Sequence, residues 1–227
     1  MTPTLPHFDA VPLFQFLTPA ERALVAPRCQ VRPYERGETI FSEGDPASDL
    51  CFVVLGRVKI VKAAHGRDII VGLFGPGEPL GIVAAFEQKP YPATAIAIEP
   101  STVLKVPEQN FFTAVDAHPE MIRRLLKGLM VRQLQITRRL ADLTGPVEYR
   151  MARLFLTLAE RTGRREGAGA EIPVTLSRQE IADLAATTVE TAIRLMSRWG
   201  KEGLVLTHAG GFRIPDLSML RRLGEEP

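Results

Sequence analysis

Glu190 and Arg194 are the residues whose types and spacing most directly suggest a chemistry. A carboxylate stands four residues before a guanidinium, so on a helix both project from one face. A guanidinium fork can donate two hydrogen bonds to O6 and N7 of a guanine. A carboxylate can accept from a cytosine amino group, so the pair can address adjacent bases of a major groove. Thr188, Val189 and Ile193 fall on the same face, where Ile193 offers apolar surface to a thymine methyl. Two plainer arrangements fit the same residues. Glu190 and Arg194 can form a solvated ion pair worth roughly 0.2–0.5 kcal/mol, and Thr187 with Glu190 has the T-x-x-E spacing of a capping box, which would occupy the carboxylate.

The elements that must position this face favour base reading. Ser177 can cap a helix with Glu180 three residues on, and Ile181, Leu184 and Ala185 have the spacing of one buried helical face. Ala185 and Ala186 are small enough for a close crossing of two helices. Thr187 and Thr188 start a second helix that buries Ala192, Leu195, Met196 and Trp199. Gly203 ends that helix, and Leu204–Thr207, His208–Gly211 and Phe212–Ile214 read as strand, turn and strand. The sum is a winged helix-turn-helix. Its hairpin offers Arg213 and backbone amides to a phosphate, and Ser177, Arg178, Gln179 and Thr188 are assigned to phosphates, which position the protein without specifying sequence.

Upstream, Thr18-Pro19-Ala20-Glu21 predicts a capped helix that runs into Ala23, Leu24 and Val25. From Val31 to Pro107, short β-branched and apolar runs alternate with glycine and proline, the pattern of a compact antiparallel roll or barrel. After Phe111 the period becomes helical and runs on past His118-Pro119. Ile122, Leu129, Ile136 and Leu143 fall seven residues apart, with Leu126 and Leu140 beside them and Arg132, Gln133 and Arg139 close to the seam. At about 1.5 Å per residue this helix spans roughly 35 Å, too long to bury both sides within one small domain, so self-association in a parallel pair is expected. The alternative is a helix packed on the roll of its own chain, leaving Arg123, Arg124, Lys127, Arg138 and Arg139 solvated. Thr144-Gly145-Pro146 breaks the helix before another amphipathic one carrying Val147, Met151, Leu154, Phe155 and Leu158. The expected division is residues 1–118, a roll with its N-terminal helix; 119–145, a dimerisation helix and hinge; and 146–227, a winged helix-turn-helix. The charged, glycine-rich run from Gly163 to Ala170 reads as a surface connection.

Composition bounds the answer more loosely. The chain has 227 residues, 45% of them hydrophobic, which supports a real core. A formal charge of +2 with a pI near 8.7 is weak evidence for a polyanionic partner. No run approaches the roughly 20 apolar residues of a membrane span and the N-terminus lacks a signal-peptide pattern, so a cytoplasmic protein without membrane contact is expected. Cys29 and Cys51 have no C-x-x-C partner and read as buried thiols, not as metal ligands. There is no H-E-x-x-H, G-x-S-x-G or phosphate loop with its lysine, so no enzyme is expected.

An α+β chain of β-roll, long dimerising helix, hinge and winged helix-turn-helix resembles the bacterial family of the cyclic-AMP receptor protein and the fumarate and nitrate reductase regulator. The likeness covers nearly the whole chain. Glu43-Gly44-Asp45, Val54-Leu55-Gly56, Gly75-Pro76-Gly77-Glu78 and Gly81 look like the glycines of the family's cyclic-nucleotide-binding-like roll, and Ser177-Arg178-Gln179-Glu180-Ile181 looks like its reader-entry motif. The resemblance implies a homodimer on a two-fold symmetric site in double-stranded DNA that recruits or blocks RNA polymerase, and it places the Gly163–Ala170 run near where family activators touch polymerase. It also implies an effector pocket at Gly81, Ile82, Thr94 and Thr137. Members that bind cyclic AMP carry Gly-Glu and an Arg-Ser or Arg-Thr pair where this chain has Gly81-Ile82 and Ala93-Thr94. Isoleucine cannot accept a ribose hydroxyl, and alanine leaves the phosphate without a charge-assisted bond of about 1.5–3 kcal/mol. The oxygen-responsive branch uses an N-terminal cysteine cluster that is absent before Cys29. No cofactor is therefore expected, although His7, His65, His118 and Cys51 are potential axial ligands for haem. Val189-Glu190-Thr191 followed by Arg194 resembles the oxygen-responsive branch, implying a half-site with a TG or TTG-like core, while Ile193 departs from the serine usual there. The expected protein works without an added effector. The alternatives are gating by an unidentified small molecule or haem ligand, and a signalling subunit whose winged domain contacts another protein.

Overall fold

The computed structural model describes residues 5–64 and 67–225, so His65 and Gly66 lie outside the described residues. The chain forms two compact units that divide between Arg132 and Gln133.

The first unit begins with α1 (Leu5–Asp9), a 3₁₀ turn (Pro12–Phe16) and α2 (Pro19–Val25). Eight strands follow: β1 (Gln30–Tyr34), β2 (Thr39–Phe41), β3 (Asp49–Leu55), β4 (Val58–Ala64), β5 (Arg67–Phe74), β6 (Pro79–Leu80), β7 (Thr94–Ala97) and β8 (Ser101–Pro107). α3 (Ile82–Glu87) interrupts them after β6, and α4 (Glu108–Ala117) and α5 (Pro119–Asp142) close the run. The strands make two antiparallel four-stranded sheets, ordered β1-β8-β3-β6 and β2-β7-β4-β5. That is the roll expected from the punctuated apolar runs.

Strand periodicity explains how one sheet serves two cores. In β3, Leu50 and Phe52 point into a cluster with Phe8, Phe14, Phe111, Met121 and Leu125, while Cys51 and Val53 point into the roll interior with Phe41, Leu80, Tyr91 and Val103. All four side chains are buried, which is why this strand reads as a continuous apolar run and not an alternating one. Both thiols are buried as expected, and desolvation pushes Cys29 up to about 12 and Cys51 up to about 11.

The predicted cap of α2 is present. The Glu21 N–H donates to the Thr18 hydroxyl at 3.3 Å, and the Thr18 N–H donates to the Glu21 carboxylate at 2.7 Å. His118 Nε2 lies 2.9 Å from the same carboxylate. The Thr18 backbone bond, then its hydroxyl, then His118 hold the Glu21 carboxyl at about 2 instead of 4.5. A carboxyl lowered on folding contributes stability that is fully present above its unfolded value and is lost as pH falls through its folded one. Thermal midpoints of wild-type and Glu21→Gln protein are therefore expected to differ above pH 4.5 and to converge towards pH 2. Equal differences at all pH values would show that the carboxylate charge is not what matters.

The helical run is not continuous past His118: α4 ends at Ala117, and Pro119 opens α5, where the missing N–H of proline costs nothing. The long helix also departs from the simple seven-residue seam. Leu129 packs partly against the core of its own unit, beside Met121 and Leu125. The exposed apolar stripe instead runs through Ile122, Leu126, Met130 and Leu134, four residues apart, then Leu140, with Ile136 and Leu143 at its margin. A straight helix of 3.6 residues per turn drifts from a strict seven-residue repeat, and the core beneath its first turns takes the Leu129 side. Arg132, which weakens the heptad reading, lies with its guanidinium 4.3 Å from the centre of the Phe74 ring. It occupies the space a Cβ would fill at Gly72, so that glycine is the condition for its stacking.

In the second unit, α6 (Val147–Thr162) follows the break at Thr144-Gly145-Pro146. Then come β9 (Arg164–Glu166), β10 (Gly169–Ile172), α7 (Arg178–Leu184), α8 (Val189–Glu202), β11 (Leu206–His208), β12 (Gly211–Ile214) and α9 (Leu217–Leu223). The run from Gly163 to Ala170 is not an irregular connection. It is the β9–β10 hairpin, which joins the wing in one antiparallel sheet ordered β11-β12-β10-β9. Phe155 packs edge-on against both Trp199 and Phe212 at the centre of this unit.

Candidate nucleic-acid interface

α7 begins at the predicted box. The Glu180 N–H donates to the Ser177 hydroxyl at 3.1 Å, and the Ser177 N–H donates to the Glu180 carboxylate at 2.8 Å. The expected buried set of α7, Ile181, Leu184 and Ala185, is buried, and Ala182 is buried with it.

The turn that follows contains Ala186 at φ +50, left-handed for a residue with a Cβ. Its carbonyls are held by side chains: Arg150 Nε donates to Ala185 O at 2.9 Å, Arg150 Nη2 to Ala186 O at 3.1 Å, and Arg139 Nη2 to Leu184 O at 3.3 Å. Neither arginine is among the expected site residues. No spacing rule pairs an arginine with backbone carbonyls 35 or 45 residues away, and the tertiary structure alone brings them there.

α8 is capped one residue later than the T-x-x-E spacing suggests. The Thr191 N–H donates to the Thr188 hydroxyl at 3.3 Å, so the cap is Thr188 and the Thr187–Glu190 box is not formed. The Glu190 carboxyl is lowered by its own backbone N–H and then by the Thr188 hydroxyl, with no contribution from Arg194. It is an ionised acceptor near neutral pH. Ala192, Leu195, Met196 and Trp199 are all buried, and the Trp199 indole N–H donates to Glu148 at 3.2 Å. Arg198 pairs with the same carboxylate. Thr188, Glu190, Ile193 and Arg194 are exposed, with Ile193 at 48%, and Val189 is half-buried.

The remaining predicted residues are distributed around that helix. Arg178 Nη2 donates to the Thr207 hydroxyl of β11 at 3.2 Å, tying the start of α7 to the wing. Gln179 is exposed and donates to Asp183 at 2.8 Å. Arg213 lies in the middle of β12, opposite Glu171, with its Nε 3.7 Å from Glu166, and the hairpin tip itself is Ala209-Gly210. Its guanidinium must therefore leave an exposed ion pair to reach a phosphate, at a cost on the scale of such pairs, about 0–1 kcal/mol.

Gly211 sets the wing's seat on the sheet. It has φ +143, and a Cβ there would stand 2.1 Å from Ile172 O and 2.9 Å from Val174 N. Gly211→Ala is expected to lower stability by about 1–3 kcal/mol, read as a shifted urea midpoint, by forcing β10 and β12 apart. An unshifted midpoint would show that the sheet yields without cost.

The four positions matched to an effector pocket are not equivalent. Gly81 at φ +67 lies against the Tyr91 ring, which would stand 2.3 Å from an added Cβ and stacks on Phe41 with centroids 3.8 Å apart. Ile82 is buried, but in the cluster formed with the helices, not with Tyr91 and Phe41 in the roll interior. The Thr94 hydroxyl accepts from the Glu43 N–H at 3.0 Å. The neighbouring cation, Lys62, pairs with Glu43 and donates to Pro92 O at 2.8 Å. The Thr137 hydroxyl donates to Gln133 O at 3.0 Å within its own helix. Among the described residues no group of three or more His, Cys, Asp or Glu side chains could hold a metal ion, and no helix is long and apolar enough to cross a membrane. His118, one of the potential haem ligands, is held by Glu21.

Comparison with known proteins matches residues 31–118 to the cyclic nucleotide-binding domain and residues 149–223 to the Crp-like helix-turn-helix domain. A transcriptional regulatory protein of Bordetella pertussis, btr, is 31% identical over 197 residues, covering 85% of this chain and 80% of the relative. A CRP-like cAMP-activated global transcriptional regulator of Mycobacterium tuberculosis is 28% identical over 212 residues, 92% of this chain and 95% of its own. Among solved structures, a CRP-family transcriptional regulator from Thermus thermophilus superposes with a TM-score of 0.71 at 30% identity, covering 85% of this chain and 96% of that one.

Proposed function

The chain belongs to the CRP/FNR family of bacterial transcription regulators, and from that premise we propose that it is a homodimer that reads a palindromic promoter site and needs no cyclic AMP. The observation that carries the reading is the division of α8 into a packed face and an open one bearing Glu190, Ile193 and Arg194. Arg194 donates two bonds to a guanine, Glu190 accepts from a cytosine on the other strand, and Ile193 meets a thymine methyl, which suits half-sites with a TG or TTG-like core. Ser177, Arg178, Gln179, Thr188 and Arg213 take phosphates. The apolar stripe of α5 is the surface on which two copies meet, because a row of exposed large aliphatic side chains is costly to leave in water. In this reading residues 1–118 are a sensor-like domain, 119–145 the dimerisation helix and hinge, and 146–227 the reader, with RNA polymerase as the further partner.

Independence from cyclic AMP is supported by what occupies the matching positions. No arginine stands beside Thr94, Lys62 is already neutralised by Glu43, and Ile82 is turned into a core with no acceptor to offer. Tyr91 fills the space over Gly81, with its hydroxyl donating to Asp49 O at 2.7 Å. The test is selection of bound duplexes from a random pool by purified protein near physiological salt with no small molecule added. A palindrome with half-sites about one helical turn apart is the expected product. Enrichment that appears only after cyclic AMP or a cell extract is supplied would replace this reading with an effector-gated one.

A further inference from the structure

We propose that Arg139 and Arg150 are positioning residues that set the angle of α8, so that sequence preference depends on two side chains that touch no base. The inference rests on the reading of α8 as the base-reading helix. The last carbonyls of a helix have no N–H ahead of them and must find other donors. At the end of α7, Ala182 O is satisfied by the Thr187 N–H at 2.9 Å, and Asp183 O by the Ala186 N–H at 3.3 Å. The next three carbonyls, Leu184, Ala185 and Ala186, receive guanidinium donors from Arg139 and Arg150. Arg150 spends its remaining arm on Gly145 O at 2.6 Å, in the break between α5 and α6. The Tyr149 hydroxyl beside it donates to Asp142, in the last turn of α5, at 3.0 Å. The end of the long helix, the break after it and the helix-turn-helix turn are thus joined by hydrogen bonds within one compact unit.

The turn needs such a clamp. Ala186 sits at φ +50, a conformation that a residue with a Cβ keeps only where its surroundings over-determine it. Arg194 is eight residues further on, about 12 Å along the helix at 1.5 Å per residue, so a tilt of about 10° at the turn displaces its guanidinium by about 2 Å. Donor–acceptor distances in a bidentate base contact vary by only about 0.5 Å, so that tilt breaks the contact. Phosphate contacts made by flexible surface side chains tolerate it. Arg150 reaches Ala185 O, Gly145 O and Ala186 O from three separate nitrogens of one planar fork, whereas a lysine carries its donors on a single nitrogen and reaches fewer of these spread-out carbonyls.

The experiment uses full-length Arg150→Gln, Arg150→Lys and Arg139→Gln proteins, titrated with the site selected by wild-type protein and with random duplex of equal length. Melting curves of the same samples report folding. In Arg150→Gln the ratio of random to selected-site Kd is expected to fall about tenfold or more, the worth of a bidentate base contact. Arg150→Lys should recover part of it by serving one carbonyl, and the salt slope of random-duplex binding should stay at the wild-type value. An unchanged ratio in a folded variant overturns the inference. So does uniform weakening on both duplexes with a slope reduced by about one, which would make Arg150 a phosphate ligand. If Arg150→Gln does not fold, Arg139→Gln and Arg150→Lys carry the same comparison and can overturn it alone. A wild-type protein with no site preference would instead defeat the reading of α8, and the inference with it.

Discussion

Arg194→Ala protein is expected to bind the selected palindrome no more tightly than random duplex of the same length. One bidentate arginine–guanine contact discriminates by about 1–3 kcal/mol, and a two-fold symmetric complex loses it twice, so the specific complex weakens by roughly 2–6 kcal/mol. Phosphate ligands are untouched, so non-specific affinity and its steep salt dependence remain. The fold is not at stake. Arg194 is exposed, its neighbours Leu195 and Met196 carry the packing, and exposed substitutions of this kind move stability by about 0.5 kcal/mol or less. Quantitative binding to the two duplexes at several salt concentrations checks it. Equal loss on both would mean that Arg194 holds a phosphate and reads nothing.

Leu126→Glu is expected to convert a dimer into a folded monomer and to weaken binding to the full palindrome by about 10²–10⁴-fold, the factor by which linked half-site binding exceeds a single engagement. Leu126 is 53% exposed in the protomer, with Met130 at 68% and Leu134 at 59% beside it, so the protomer loses little packing when one is replaced. Across a symmetric interface the same substitution sets two carboxylates in an apolar contact, where an unpaired charge is strongly disfavoured. Light scattering after size exclusion gives the mass, and a melting curve shows that the monomer is folded. A variant that stays dimeric would remove the α5 stripe from the interface. Leu129→Glu should behave differently: Leu129 packs partly on its own core, so the protomer itself should lose stability.

The roll, the long helix and the winged helix-turn-helix were all legible in the residues because each rests on a local signal. The T-P-A-E and S-x-x-E caps formed as the sequence indicated, since a capping box is made within four residues and depends on nothing distant. The buried face of α8 followed from its spacing, because one apolar stripe on a helix has one place to go. The exposed face bearing Glu190, Ile193 and Arg194 followed for the same reason. Where two local solutions competed, the sequence did not choose between them. Thr187 with Glu190 and Thr188 with Thr191 are both serviceable starts to a helix, and the latter cap is the one present.

What only the tertiary structure decided are contacts between residues far apart in the chain. The Gly163–Ala170 run is a hairpin because the wing's sheet offers it an edge at Glu171, which pairs with Arg164 on one side and Arg213 on the other. Leu129 left the heptad seam because the core of its unit lies beneath it, and Ile82 left the roll interior because the cluster with the helices took it. Arg132 and Arg139 look like flaws in a coiled-coil repeat until Phe74 and Leu184 O are seen beside them. Local sequence determined which elements form and which faces they bury, since caps and periodicity act over a few residues. The partners of Arg139 and Arg150 in the turn before α8 are backbone carbonyls distant in the chain, which leave no trace in spacing or composition.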